Sequence, residues 1–242
     1  MSWAVIGGSA ALPAVAGFEA FDVAEGAFGP PSAAPRRGRI GATEVVFLAR
    51  HGEPHRIAPH AINSRANVDL LARLGVSGVI ALTTVGGITA RAPAGALLLP
   101  HQLIDYTWGR PHTFSDAATL LHADFAEPFD AGLRRALAAA AQRAGVELGQ
   151  QAVYGCTQGP RFETAAEIER MDRDGCDIVG MTAMPEAALA RERGLPYALV
   201  SLVVNPAAGR AADPFDMDAI RRVSATGMAA VDALLRALFA GG

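Results

Sequence analysis

Along this chain, polar side chains recur where apolar runs end. Gly7-Gly8-Ser9 follows the opening run, where glycines let backbone approach a ligand and a serine hydroxyl can hold an anion. No third glycine stands in register, so this is not a dinucleotide fingerprint, and a plain strand-to-loop turn is the commoner meaning. VVFLARHG delivers Arg50 and His51 from an apolar strand. Arginine offers a planar fork that matches phosphate oxygens, although a surface Arg beside a satisfied edge His fits the pattern equally well. LTTVGGIT ends a further run in hydroxyls and glycines, GCTQGPRFET sets Phe162 and Glu163 at the entry to a helix, and GMTAMP and SLVVNPAAG complete the series. A Phe in such a loop can stack on a planar ring while a carboxylate accepts from an N–H on its edge, though a lone Phe is more often core. An amide such as Asn205, closing an apolar strand before Pro206, is either a turn former or a recognition group.

Composition removes several chemistries. All 21 basic residues are arginine, with no lysine anywhere, which excludes Schiff-base chemistry and a P-loop lysine. Any anion must be held by Arg, His, hydroxyls or backbone N–H. A net charge of -3 gives no basic field for nucleic acid. The six histidines lie between His51 and His122 without metal-ligand spacing, so no metal is expected. Cys156 and Cys176 form no CxxC pair, and the N-terminus lacks a signal pattern. The longest uninterrupted apolar runs, Gly78–Leu82 and Tyr197–Val204, are strand length. Together these predict a cytoplasmic protein with no membrane span.

The elements that must position these groups follow from periodicity. Strands are expected at Trp3–Ile6, Val45–Leu48, Val79–Leu82, Val153–Tyr154, Ile178–Val179 and Ala198–Val204. Helices are expected at Asn67–Leu74, Asp130–Ala144, Ala165–Asp172, Pro185–Arg193 and Asp216–Phe239. The Pro/Gly/Arg-rich segment Gly26–Arg39 reads as a long loop. The alternation predicts a single α/β domain over 1–242, with a central mixed β-sheet flanked by helices.

In order along the chain, GGS, ARHG, TTVGG, GPRFET, GMT and PEAALARERGLPYA resemble the trimeric purine nucleoside phosphorylase and methylthioadenosine phosphorylase family. The likeness runs from about Trp3 to Asn205. It implies reversible phosphorolysis of an N-ribosyl purine in a homotrimer, with inorganic phosphate as co-substrate and no metal or organic cofactor. Carried over residue by residue, it implies phosphate contacts at Ser9, Arg50, His51, Thr84, Val85 (through backbone N–H) and Thr182. Met181 and His55 would lie by the ribose and Phe162 by the base, and a neighbouring subunit would lend His122 to the 5′ end of the sugar.

The base edge then sets the substrate. Relatives acting on 6-aminopurines carry Asp at the positions of Asn205 and Ala207. An Asn amide can instead donate to a purine O6 and accept from a protonated N7, and Glu163 could accept N1–H. A 6-oxopurine is expected, with Asn205 as the catalytic group at its edge. At the 5′ end, Met217 and Ile220 would present an apolar pocket at i, i+3 spacing, and no histidine follows residue 122. These features favour 5′-methylthioinosine over inosine or guanosine, and over methylthioadenosine. A hydrolase, a non-catalytic nucleoside binder and a dinucleotide-dependent oxidoreductase fit the residues less well.

Overall fold

The apolar runs become strands because both faces of the sheet are covered, so each strand can bury nearly every side chain. The computed structural model describes residues 2–8, 12–116, 118–211 and 216–240. Its strands are β1 (Trp3–Gly7), β2 (Glu19–Ala20), β3 (Arg36–Ile40), β4 (Thr43–Ala49), β5 (Val79–Gly87), β6 (Leu97–Leu98), β7 (Gln102–Asp105), β8 (Val153–Cys156), β9 (Ile178–Gly180) and β10 (Tyr197–Pro206). The α-helices are α1 (Ser64–Arg73), α2 (Ala131–Ala144), α3 (Ala165–Arg173), α4 (Glu186–Glu192) and α5 (Met217–Ala240).

The sheet runs β2-β3-β4-β1-β5-β9-β8-β7, with β10 paired to β5 and β6. β4, β1, β5 and β10 are mutually parallel along their pairings, so their C-terminal ends lie together. β9 meets the end of β5 antiparallel and continues parallel into β8 and β7. This is the expected mixed α/β sheet. One core layer joins it to α1 and α4 through Val68, Leu71, Ala187 and Leu189. The opposite layer joins it to α2 and α5 through Leu133, Leu137, Val231 and Leu234.

Local signals fix the helix ends. In α3, Thr164 and Glu167 form a reciprocal capping box, each side chain accepting from the other's backbone N–H. α2 starts on the Asp130 side chain and stops at Gly145, whose left-handed φ of 64° suits glycine. At the end of β5, a Cβ on Gly87 would lie 1.9 Å from the Ala92 carbonyl oxygen, so no larger residue fits there.

One expectation needs correction. The segment Gly26–Arg39 is not all loop, because Arg36–Ile40 forms β3, antiparallel to β4. Its polar sequence hides a strand whose guanidinium groups lie over aromatic rings, Arg36 over Phe47 at 5.0 Å and Arg37 over Phe21 at 4.4 Å. The closing helix falls where it is expected: α5, with 24 residues, is long and apolar enough by composition to cross a bilayer. Here it packs on α2 and β10 and buries Met228, Val231, Leu234, Leu235 and Phe239.

Candidate active site

The parallel strands end at a single cavity of about 620 Å³. The C-terminal edge of an open parallel sheet is where α/β proteins place ligands, because strands stop and side chains and backbone N–H groups face outward there. Gly8 after β1, Arg50 and His51 after β4, Thr84 and Val85 on β5, and Asn205 on β10 all line it. Met181 and Thr182, just beyond β9, line it as well. Ser9 lies outside the described residues, as do Pro214 and Phe215 in the segment leading to α5.

Arg50 is the most demanding of these residues, since its guanidinium is almost wholly buried, with the residue only 1% exposed. Nε and Nη2 donate to the two carboxylate oxygens of Glu186, each at 2.9 Å, and Nη1 donates to the Leu82 carbonyl at 2.9 Å. Tyr197 donates its hydroxyl to the same Glu186 carboxylate at 2.8 Å. Burial alone would lower the Arg50 pKa, but the charge and hydrogen bonds of Glu186 hold it above the usual arginine range. Three of the five N–H groups are thus engaged by described residues. The whole fork is therefore not offered to an anion: at most one N–H on each terminal nitrogen can turn to the cavity. Sequence reading missed Glu186 and Tyr197, whose only signal was a carboxylate opening the otherwise Ala-rich PEAALARE helix.

His51 departs from the cationic or donor role that the ARHG motif suggested. Its Nδ1 lies 2.8 Å from the Ile57 carbonyl oxygen, which can only accept, so the proton sits on Nδ1. Burial pushes its pKa down to about 4, with Arg50 and His55 adding to the shift against the Ile57 hydrogen bond. The ring is therefore neutral, and Nε2 is an acceptor. His55 lies on the cavity wall and stacks on His51 with ring centroids 4.4 Å apart.

Thr84 is the exposed position in the otherwise buried stretch Val79–Val85 of β5, so its hydroxyl faces the cavity. Val85 is buried, leaving its backbone as the part able to meet a ligand. Below them, the Thr83 and Ser201 hydroxyls pair at 3.0 Å and tie β5 to β10. Arg50, Thr84 and Thr182 therefore bring one positive charge and hydroxyls to the cavity lining, a composition that suits an oxyanion.

The lining also offers groups that suit a planar heterocycle. Phe162 and Glu163 belong to it, from the loop before α3. The Glu163 carboxylate is oriented by Thr157, whose hydroxyl donates to Oε1 at 2.6 Å, leaving Oε2 able to accept from a ligand. Asn205 follows a register shift in β10, and its Nδ2 donates to the Pro206 carbonyl at 2.6 Å. One N–H and the amide oxygen remain for recognition. Ala207 lines the cavity too and carries no polar group. At the rim, Met217 and Ile220 from the start of α5 present apolar surface. His122 is exposed and stands outside this lining, so within one chain it takes no part in the cavity. Among the described residues, no group of three or more His, Cys, Asp or Glu is placed to hold a metal ion.

Comparison with known proteins agrees with this geometry. The family model described as the phosphorylase superfamily matches residues 3–240. A Pseudomonas syringae pv. tomato protein described as a probable S-methyl-5'-thioinosine phosphorylase is 49% identical over 210 residues, 86% of this chain and 85% of that protein. The 6-oxopurine nucleoside phosphorylase of Pyrococcus furiosus is 46% identical over 179 residues, 71% of this chain and 68% of its own. Among solved structures, methylthioadenosine phosphorylase from Schistosoma mansoni in complex with adenine superposes with a TM-score of 0.91 at 29% identity. That match covers 99% of this chain and 91% of the other.

Two predictions follow from the buried charges. Glu186→Gln leaves the Arg50 cation without its carboxylate, and equilibrium urea unfolding should show a loss of about 3 kcal/mol or more. For His51, the folded pKa of about 4 lies below the ordinary 6.5. The unfolded chain therefore binds the extra proton first, and stability falls as pH drops from about 6.5 towards 4, by at most about 3 kcal/mol. Unfolding curves across that range should be flatter for His51→Gln than for the parent; identical slopes would contradict the buried, neutral imidazole.

Proposed function

The chain belongs to the phosphorylase superfamily, and from that premise we propose that it is an S-methyl-5'-thioinosine phosphorylase of purine salvage. The coarser activity is phosphorolysis of a 6-oxopurine nucleoside by a pentosyltransferase. The finer proposal is that the favoured nucleoside carries a 5′-methylthio group, giving hypoxanthine and 5-methylthioribose 1-phosphate. It rests above all on one observation: Asn205, Glu163 and Ala207 line one cavity, and Ala207 brings no acid to recognise a 6-amino group.

The chemistry follows from charge. As the bond between C1′ and N9 lengthens, the ribose gains positive charge and the purine negative charge. Phosphate held under the sugar by Arg50, Thr84, Thr182, the Val85 N–H and, in this proposal, Ser9 stabilises the developing cation and supplies the oxygen that bonds C1′. The neutral His51 accepts a hydrogen bond from a phosphate or ribose hydroxyl through Nε2. On the leaving group, N7 takes a proton from water, the Asn205 amide oxygen accepts from the resulting N7–H, and its free N–H donates to O6. Glu163 accepts the N1–H that a 6-oxopurine carries and adenine lacks. Phe162 stacks on the base, and Met181 and His55 lie beside the ribose.

Met217 and Ile220 favour a thioether over a hydroxyl, since burying an unpaired 5′-OH against them costs about 1–3 kcal/mol. The family likeness further supports a homotrimer in which a neighbour's His122 reaches this 5′ end; its exposure in the single chain fits that role. No cofactor beyond inorganic phosphate is needed. A reducing, cytoplasmic setting suits the two buried free thiols, Cys156 and Cys176.

The test is phosphate-dependent base release from methylthioinosine, inosine, guanosine and methylthioadenosine, repeated with Asn205→Asp. The parent should prefer methylthioinosine, and the variant should lose roughly 100-fold or more on 6-oxopurines, because a carboxylate repels O6 and leaves it without a donor. Preference for inosine would sink the 5′ assignment, and unchanged selectivity in the variant would sink the base-edge assignment.

A further inference from the structure

Outside the cavity lining, one buried cation lacks a carboxylate partner among the described residues. Arg110, in the loop after β7, is 8% exposed. Its Nε donates to the Gln158 side-chain oxygen at 3.0 Å, and Nη1 donates to the Met181 and Met184 carbonyls at 2.9 and 2.6 Å. Nη2 donates to the Thr157 and Gln158 carbonyls at 3.2 and 2.7 Å. Those bonds use all five guanidinium N–H groups, each on a neutral oxygen. Burial lowers the Arg110 pKa from the ordinary arginine value, with Cys156, Asp105 and Tyr154 opposing through space. A charge buried at such a cost without an ion pair needs every one of these bonds.

The acceptors belong to two segments that leave the paired strands β8 and β9; Thr157 N–H donates to the Gly180 carbonyl at 2.8 Å at their bases, and beyond that bond Arg110 spans them. One, 157–163, carries Thr157, which orients Glu163 at the base. The other, 181–184, carries Met181 at the sugar and Thr182 beside it. The guanidinium lies between them as a planar spacer. Resting on the phosphorolysis reading above, we infer that Arg110 is a positioning residue for the nucleoside: its fork sets the distance between the base-side and sugar-side loops, and so the fit of the purine nucleoside. Of the described residues proposed to meet phosphate, Arg50 and His51 follow β4 and Thr84 and Val85 lie on β5, none of them bonded by Arg110; Thr182 alone shares the 181–184 segment.

Lysine is the informative replacement, since it keeps the charge but offers three donors from one point, too few to span both loops. Arg110→Lys and Arg110→Ala are compared with the parent by steady-state kinetics in both substrates, by calorimetric binding of hypoxanthine, and by thermal unfolding. In Arg110→Lys the KM for nucleoside and the Kd for hypoxanthine should rise roughly 10-fold or more and the KM for phosphate clearly less, by about 3-fold at most, because among the proposed phosphate contacts only Thr182 stands on the loops that Arg110 spans. Added guanidinium ion should restore part of the nucleoside KM in Arg110→Ala. Should that variant not fold, the lysine variant carries the test. A merely structural role would lower the unfolding temperature while leaving both KM values and the hypoxanthine Kd unchanged, and that result, or equal rises for both substrates, overturns the inference. Hypoxanthine binding needs no turnover. A parent that binds hypoxanthine without releasing it from nucleosides would refute the reaction while Arg110 is still tested through Kd.

Discussion

A buried guanidinium cannot stand alone, and the placement of Arg50 depends on the carboxylate that neutralises it. Glu186 takes the side of the Arg50 fork formed by Nε and Nη2, and Tyr197 donates to the same carboxylate. The three residues come from the end of β4, the first turn of α4 and the start of β10, so one ionic contact pins three elements. It also decides what Arg50 can do: with its fork committed, the remaining N–H groups meet a ligand as single donors beside Thr84 and Thr182. Replacing such a pair by apolar residues can be neutral for folding, so its retention is better understood through the site it orients than through stability.

The site divides by the kind of support behind each part. The oxyanion end is built on strand termini, where hydrogen bonding across the sheet fixes Thr84 and the Val85 backbone to a fraction of an ångström. Among the residues proposed for base and sugar, Asn205 closes β10 while Phe162, Glu163 and Met181 stand on loops, and loops need other restraints. Thr157 restrains Glu163, the Pro206 carbonyl restrains Asn205, and Arg110 bonds to both 157–158 and 181–184. Under the proposed function, strand-borne groups would hold the anion, and residues such as Phe162, Glu163 and Met181 would set which nucleoside is accepted.

What could be read in advance follows the range of each interaction. Strands buried on both faces announce themselves as apolar runs, and capping at Thr164 and Asp130 marks helix starts within four residues. Arg50, Thr84 and Asn205 were legible because a polar group closing an apolar strand is conspicuous. β3 escaped because its arginines, whose guanidinium groups lie over aromatic rings, look like loop residues in the sequence. Glu186 and Arg110 escaped for a different reason. Glu186 meets Arg50 across 136 residues, and Arg110 meets its acceptors across 47 to 74. His51 was legible as a site residue but not in its protonation, which is set by a carbonyl and by burial.

The claim on which the rest turns is that the Arg50 end of the cavity holds phosphate as the nucleophile. The direct measurement is hypoxanthine release from S-methyl-5'-thioinosine with phosphate and in its complete absence, with the sugar product followed by phosphorus NMR. Release that requires phosphate, and yields one equivalent of sugar 1-phosphate per base, is the result this account predicts. Release that continues at the same rate without phosphate, giving the free sugar, would contradict it and make water the nucleophile.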